Sequence, residues 1–336
     1  MTEPVRWGIL STAKIGMTKV TPAIQRAENC EVVAIASRDL SRAEEAARQL
    51  GIPRAHGSYE ALLADPDVEA VYVPVPNHLH VDMTLAAVEA GKHVLCEKPI
   101  GVTADDALRL RDAPEGLLVA EAFMVRYHPQ WLRAREIAQS GELGEIRAVR
   151  SIFSYHNVNP EDLRNKADSG GGGILDIGCY PVTGGRFIFG AEPTRVFSLV
   201  DRDPTFRTDR TASVIADFGG GRQLTFLCST QLVPHQSLEI LGTKGRVEIV
   251  IPYNAPQGVA TALVVDHGLT FDESLARREI IPPCDQYTLQ AELFARAVRG
   301  EAALPYGVED AIASMRILDA IFESERTGRW AEVAAS

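Results

Sequence analysis

Val5-Arg6-Trp7-Gly8-Ile9-Leu10-Ser11-Thr12-Ala13-Lys14-Ile15-Gly16 decides the fold. A short apolar strand runs into a tight Ser-Thr-Ala turn, and the spacing beyond it predicts a helix over residues 15–27, the opening of a βαβ unit. The pattern then repeats. A strand over 31–36 leads to a helix over 42–49, with Ser41 as its N-cap and Gly51 closing it. Strands over 70–75, 93–96 and 117–120 alternate with helices over 81–89 and 104–112. Such alternation with short connections predicts a Rossmann-type parallel sheet covered by helices on both faces.

After a helix over 129–140 the pattern changes to strands, at 146–156, 195–201, 212–218, 223–231, 237–241, 246–251 and 261–265. Gly219-Gly220-Gly221 and Gly242-Thr243-Lys244-Gly245 separate several of them at hairpin spacing. The expectation is an α/β chain: a parallel-sheet domain over 1–122, then an α+β domain over 123–336 with a large, mostly antiparallel open sheet. Two helices, over 287–299 and 308–326, close the chain.

Composition narrows the function. With 336 residues, 46% hydrophobic, and a net charge of -11, the chain is globular and has no electrostatic basis for coating nucleic acid or an anionic membrane. Small molecules and other protein chains are the expected partners. The five cysteines form no C-x-x-C pair, as for reduced thiols. The first residues show neither a basic n-region nor an apolar h-region, and no uncharged stretch is long enough to span a bilayer, so a cytoplasmic protein is expected.

In a dinucleotide fold the first strand-to-helix turn carries G-x-G-x-x-G, which lets backbone approach a pyrophosphate at a helix N-terminus. Here Ser11, Thr12, Ala13, Lys14 and Ile15 lead to Gly16, with Gly8 as the earlier glycine, and this stretch is the expected cofactor turn. At the end of the second strand an acidic residue would bind ribose hydroxyls, whereas Ser37 and Arg38, with Arg42 a turn later, suit a 2′-phosphate. NADP is therefore preferred, with NAD possible. Pro76, Asn77 and His80 follow the third strand and Glu97-Lys98-Pro99 the fourth, both at the carboxyl edge where a cofactor lies. His78 and His80 lack a neighbouring ligand set, so no metal is expected. The run Gly170-Gly171-Gly172-Gly173 frees the backbone for close approach, and Asp176 and Tyr180 follow it four residues apart, on one face if the segment is helical.

Taken in order, these motifs, together with Arg126-Tyr127-His128-Pro129-Gln130, resemble the glucose-fructose oxidoreductase, inositol dehydrogenase and rhizopine catabolism (Gfo/Idh/MocA) family. Within it the chain is most similar to the dimeric dihydrodiol dehydrogenase and NADP-dependent D-xylose dehydrogenase branch. The resemblance implies a second domain that binds substrate and whose sheet joins a homodimer or homotetramer. It also implies Lys98, Asp176 and Tyr180 as the catalytic set. Arg126, Phe153, Tyr155, Arg164 and Asn165 are further candidates for the substrate wall, because aromatic faces and guanidinium donors suit a sugar ring. The implied reaction is hydride transfer between nicotinamide and the carbinol carbon of a sugar, polyol or diol, with either Tyr180 or Lys98 carrying the proton. A nicotinamide-using glycosidase of the same fold and a non-catalytic NADP(H) sensor are the rival readings.

Overall fold

β1 (Val5–Leu10) is buried along almost all of its length, as a central parallel strand must be. The computed structural model describes residues 3–268 and 274–334. Among them, β2 (Cys30–Ala36), β3 (Arg54–His56), β4 (Ala70–Val73), β5 (His93–Cys96) and β6 (Val119–Glu121) join β1 in a parallel sheet of order β3-β2-β1-β4-β5-β6. Helices α1 (Thr21–Arg26), α2 (Leu40–Leu50), α3 (Tyr59–Leu63), α4 (His80–Glu89) and α5 (Ala104–Leu108) lie in its connections. The strand order reverses between β1 and β4, so a crevice opens at their carboxyl ends.

Two local expectations change, and two short elements are new. The helix expected over 15–27 is a wide π-type turn, Gly16–Val20, followed by α1; Pro22, lacking an N–H, cannot close the regular ladder there. The cap of α2 is Asp39 rather than Ser41, its Oδ1 accepting from Ser41 N–H at 2.9 Å and from Ser41 Oγ at 2.7 Å. β3 and α3, at three and five residues, fall below the length at which periodicity is visible.

The second sheet follows α6 (Pro129–Gln139), whose first turn is capped by His128 Nδ1 accepting from Gln130 N–H at 3.0 Å. Its strands are β7 (Ile146–His156), β8 (Arg195–Arg202), β9 (Asp209–Asp217), β10 (Gln223–Ser229), β11 (Gln231–Gly242), β12 (Arg246–Ile249), β13 (Thr261–Asp266) and β14 (Arg277–Ile281), with the short β15 (Ala331–Glu332) at one edge. Among the described residues all its pairings are antiparallel except β7 with β10. Between β7 and β8 the chain forms α7 (Cys179–Phe189), which is buried over most of its length. Gly184 and Gly185 allow that packing: a Cβ would lie 2.8 Å from the Trp131 ring at the first and 2.9 Å from Leu224 at the second.

A single boundary at 122/123 does not describe the compact units. The first comprises the described residues up to Met124 together with Asp285–Ile312, and the second comprises the described residues of Val125–Cys284 and those from Ala313 onward. The reason is α8 (Gln286–Val298), which returns to the first unit: Phe294 packs on Trp7 with ring centroids 5.4 Å apart, and Asp285 pairs with Arg26 at 2.5 Å. α9 (Val308–Thr327) follows it. At the end of α8, Arg299 forms a bidentate pair with Glu69 (both 2.9 Å), and Arg6 N–H donates to the same carboxylate at 3.1 Å. The Arg299 guanidinium, helped by these Arg6 bonds, pulls the Glu69 carboxyl down to about 2. A depressed carboxyl stabilises the fold above its unfolded value, and that contribution disappears as the pH falls through the folded one. Glu69→Gln is accordingly expected to cost about 2 kcal/mol at neutral pH. Matched thermal melts should show the penalty shrinking as pH falls from 4.5 towards 2.

Candidate active site

In the first unit the turn after β1 solves the missing-glycine problem with a serine. Ser11 adopts φ 135°, a conformation that favours glycine, and its Oγ accepts from Ala13 N–H at 3.0 Å. The chain leaves the strand as a glycine-rich turn would. Gly16 follows, buried against Tyr72 and Pro74. Gly8, by contrast, sits within β1 opposite Ala34 and Val71. A Cβ there would meet Leu62 at 2.6 Å, so this glycine serves the packing of α3 on the sheet rather than a cofactor.

Beside this turn lies a cleft lined by Thr12, Met17, Ser41, Arg42, Glu45, Ala46 and Gln49. Thr12 and Arg42 line it together; Met17 of the turn Gly16–Val20, and Ser41, Glu45, Ala46 and Gln49 of α2, are additions. The acid following β2 is committed elsewhere. Asp39 spends its carboxylate on Ser41, whose hydroxyl and N–H hold it below the usual carboxylate range, while Arg38 and Arg42 are exposed. Ser37 is nearly buried, its Oγ accepting from Asp39 N–H at 3.3 Å.

At the carboxyl ends of β4 and β5, His80 and Glu97 shape the loops. His80 is 1% exposed, with Nδ1 2.6 Å from Pro99 O and Nε2 2.8 Å from Val75 O. It clamps the Pro76-Asn77 segment to the Lys98-Pro99 loop from beneath, which corrects its reading as a cofactor contact. Burial lowers its pKa to about 4, so the ring is neutral and donates to one of the two carbonyls. Glu97 accepts from the buried Tyr72 hydroxyl at 2.6 Å, and the Lys98–Pro99 peptide is cis. Just beyond, Ile100 N–H donates to Glu121 Oε1 at 2.7 Å, a buried carboxylate that no sequence motif marked.

In the second unit five of the expected side chains converge. Asp176 lies in the π-type turn Ile174–Gly178 and Tyr180 in the first turn of α7. Tyr155 OH donates to Asp176 Oδ2 at 2.6 Å, and Arg164 Nε donates to the same oxygen at 3.1 Å. The Tyr180 ring meets Phe153 edge-on at 5.5 Å. Phe153 and Tyr155 are two apart on β7 and so share a face; Asp176 and Tyr180 therefore both address that face. Tyr253, which the sequence did not single out, completes the group, stacking on Phe153 at 4.8 Å and lying 5.3 Å from Tyr180. Burial and the Asp176 carboxylate push the Tyr155 phenol well above the ordinary range, so it stays protonated and acts as a donor. Arg164 is held cationic, chiefly by Asp176.

One candidate stands apart. Asn165 is buried and turns its amide to the Asn157 and Asn159 carbonyls (3.3 and 2.8 Å), bracing its own loop rather than lining a substrate wall. Arg126 is buried in the turn Met124–Tyr127. Among the described residues no cluster of His, Cys, Asp and Glu could hold a metal ion, and no helix is long and apolar enough to cross a membrane.

The pattern of an oxidoreductase family with an NAD-binding Rossmann fold matches residues 5–117, and that of the GFO/IDH/MocA C-terminal domain matches 131–248. The chain belongs to the Gfo/Idh/MocA oxidoreductases. It is 38% identical to D-xylose 1-dehydrogenase (NADP(+)) 2 of Haloferax volcanii over 97% of this chain and 99% of that one. It is 36% identical to the trans-1,2-dihydrobenzene-1,2-diol dehydrogenase of Bos taurus, over 78% and 77%. The structure of KijD10, a 3-ketoreductase from Actinomadura kijaniata in complex with NADP and TDP-benzene, superposes with a TM-score of 0.89 at 29% identity, over 96% of this chain and 98% of that one. The chain is an NAD(P)-dependent oxidoreductase, as its motifs suggested, on a parallel-sheet domain and a mostly antiparallel one.

The neutral His80 yields a prediction. A histidine whose folded pKa is lowered takes up its proton more readily when unfolded, so stability falls as pH drops from 6.5 towards 4. In a histidine-resolved NMR titration, His80 is expected to protonate near 4, and a midpoint near 6.5 would contradict the buried clamp.

Proposed function

We propose that the protein is an NADP-linked dehydrogenase acting on the carbinol carbon of a sugar, polyol or diol, with an aldose of the D-xylose type or a trans-dihydrodiol as its substrate. The observation that carries this reading is the group Phe153, Tyr155, Asp176 and Tyr180 on one face of β7, backed by the fully buried Tyr253: an apolar aromatic wall with one oriented carboxylate. A hydroxylated ring fits such a wall, its C–H face on the aromatics and its hydroxyls on Asp176.

The cofactor turn, the cleft beside Arg42 and the loop holding Glu97 and Lys98 suit a dinucleotide, which when bound supplies the hydride acceptor. Because Asp39 is spent on its helix, the end of β2 offers cationic Arg38 and Arg42 in place of a carboxylate, which favours the 2′-phosphate of NADP. Lys98 and Tyr180 share the task of moving the hydroxyl proton. A free phenol ionises near pH 10, so a phenol that carries this proton near neutrality needs a cation to favour its ionised form. Asp176, oriented by Tyr155 and Arg164, holds a neighbouring hydroxyl. The D-xylose and dihydrodiol names of the relatives support the substrate class.

We also propose self-association through the outer face of the second sheet. Leu199, Ser213, Leu227 and Ile152 lie side by side in register there, and Leu199 is 74% exposed. All five cysteines are free thiols, in keeping with a cytoplasmic setting.

A screen at 340 nm with NADP and NAD against aldopentoses, aldohexoses, inositols, trans-dihydrodiols and dicarbonyls tests the reading. Turnover is expected with NADP and an aldose or diol. Lys98→Met and Tyr180→Phe are each expected to lower kcat about 10²–10⁴-fold while leaving NADPH affinity nearly unchanged. Loss of NADPH binding in Tyr180→Phe, with the chemistry intact, would overturn the assignment. Removing Arg38 and Arg42 together is expected to weaken NADP binding about 10–100-fold and leave NAD untouched. On a calibrated sizing column Leu199→Asp should elute as a smaller species than the parent protein.

A further inference from the structure

The segment that carries Asp176 and leads to Tyr180 is held at its start by a residue that the mechanism does not use. Asp209, the first residue of β9, is 2% exposed, and its Oδ2 accepts from Ile174 N–H at 2.5 Å. Ile174 opens the π-type turn containing Asp176, and the turn closes on itself through Cys179 N–H donating to Ile174 O, one residue before Tyr180. The glycine run preceding it is shaped around this carboxylate. Gly172 has φ +118°, and a Cβ on it would lie 2.0 Å from Asp209 Oδ1; one on Gly173 would lie 3.5 Å from Oδ2. Gly172 O in turn accepts from Asp176 N–H at 3.1 Å.

A helical start leaves its first N–H groups without partners, and an anionic acceptor there is the strongest available fix. Burying a carboxylate is costly, however. Its place beneath the turn is explained if the turn's position matters more than the cost. We propose that Asp209 is a positioning residue for the reaction: its carboxylate fixes the first amide of the turn that presents Asp176 and Tyr180, and Gly172 is glycine because any side chain would displace that carboxylate. The proposal rests on Asp176 and Tyr180 being reactive groups.

The surroundings of Asp209 give it a signature. Arg202 of β8 and Glu325 of α9 face it, paired with each other at 2.6 and 2.7 Å, and the Cys228 thiol of β10 lies near. Burial pushes the Asp209 carboxyl up to about 7, with Arg202 drawing it down and Glu325 adding to the rise. An aspartate raised above its unfolded value of 3.8 weakens the fold as pH climbs from 3.8 to 7, yet its ionised form is the better acceptor for Ile174. Asp209→Asn keeps an acceptor oxygen and abolishes the titration; Asp209→Ala removes both.

The test uses the full-length protein. In wild type the Ile174 amide resonance is expected to shift with a midpoint near 7, and in Asp209→Asn to stay flat. Asp209→Ala is expected to lower kcat about 10–100-fold with NADPH affinity within about twofold, and Asp209→Asn to recover kcat to within about threefold at pH 8. Unchanged kcat in both variants, or an Ile174 amide that titrates identically in Asp209→Asn, overturns the proposal. If wild type turns over nothing in the screen, the functional reading falls, whereas the amide titration still reports whether Asp209 holds the turn.

Discussion

The parallel pairing of β1 with β2 on one flank and β4 on the other is the constraint from which the first unit follows. Strands that run the same way put all their carboxyl ends at one edge, so the turns after β1, β2, β4 and β5 assemble there whatever their sequences. Ser11, Arg38, Pro76 and Lys98 are neighbours in this sense before any contact between them is considered. The sheet sets the place; local chemistry then sets each turn, as Ser11 shows by adopting a glycine conformation with its own hydroxyl as support.

The second unit is organised differently. Its site is built from residues on a strand, a loop, a turn and a helix, tied by Tyr155 and Arg164 to one carboxylate oxygen. Three aromatic rings pack within 4.8 to 5.5 Å of one another on the face of β7 from which Tyr155 reaches that oxygen. Apolar ring faces and a fixed acceptor in one place are what carbohydrate recognition asks of a protein.

What the sequence showed and what it hid divide along sequence distance. The alternation that defines the parallel sheet is a local pattern, and so are Glu97-Lys98-Pro99 and the glycine run before Asp176, all of which were legible. Gly8 was misread because a glycine in a strand looks the same whether it makes room for a pyrophosphate or for Leu62. Asp39 was passed over as a cap because Ser41, two residues on, fits the same rule. Tyr253 meets Phe153 from a hundred residues away, Asp209 reaches Ile174 across a strand, and Glu121 holds Ile100 from the next strand. None of these has a spacing that periodicity can detect. The return of α8 to the first unit was invisible for the same reason: its amphipathic pattern states that it has an apolar face, not which face covers it.

That return has a consequence for synthesis on the ribosome. Domains generally fold in order as they emerge, the N-terminal one first. Here Phe294, which covers Trp7, and Arg299, which answers Glu69, lie near the far end of the chain. The first six strands can form early, but the apolar patch around Trp7 stays bare until almost the whole polypeptide has been made. A nascent chain of this design spends most of its translation with one apolar face awaiting its cover.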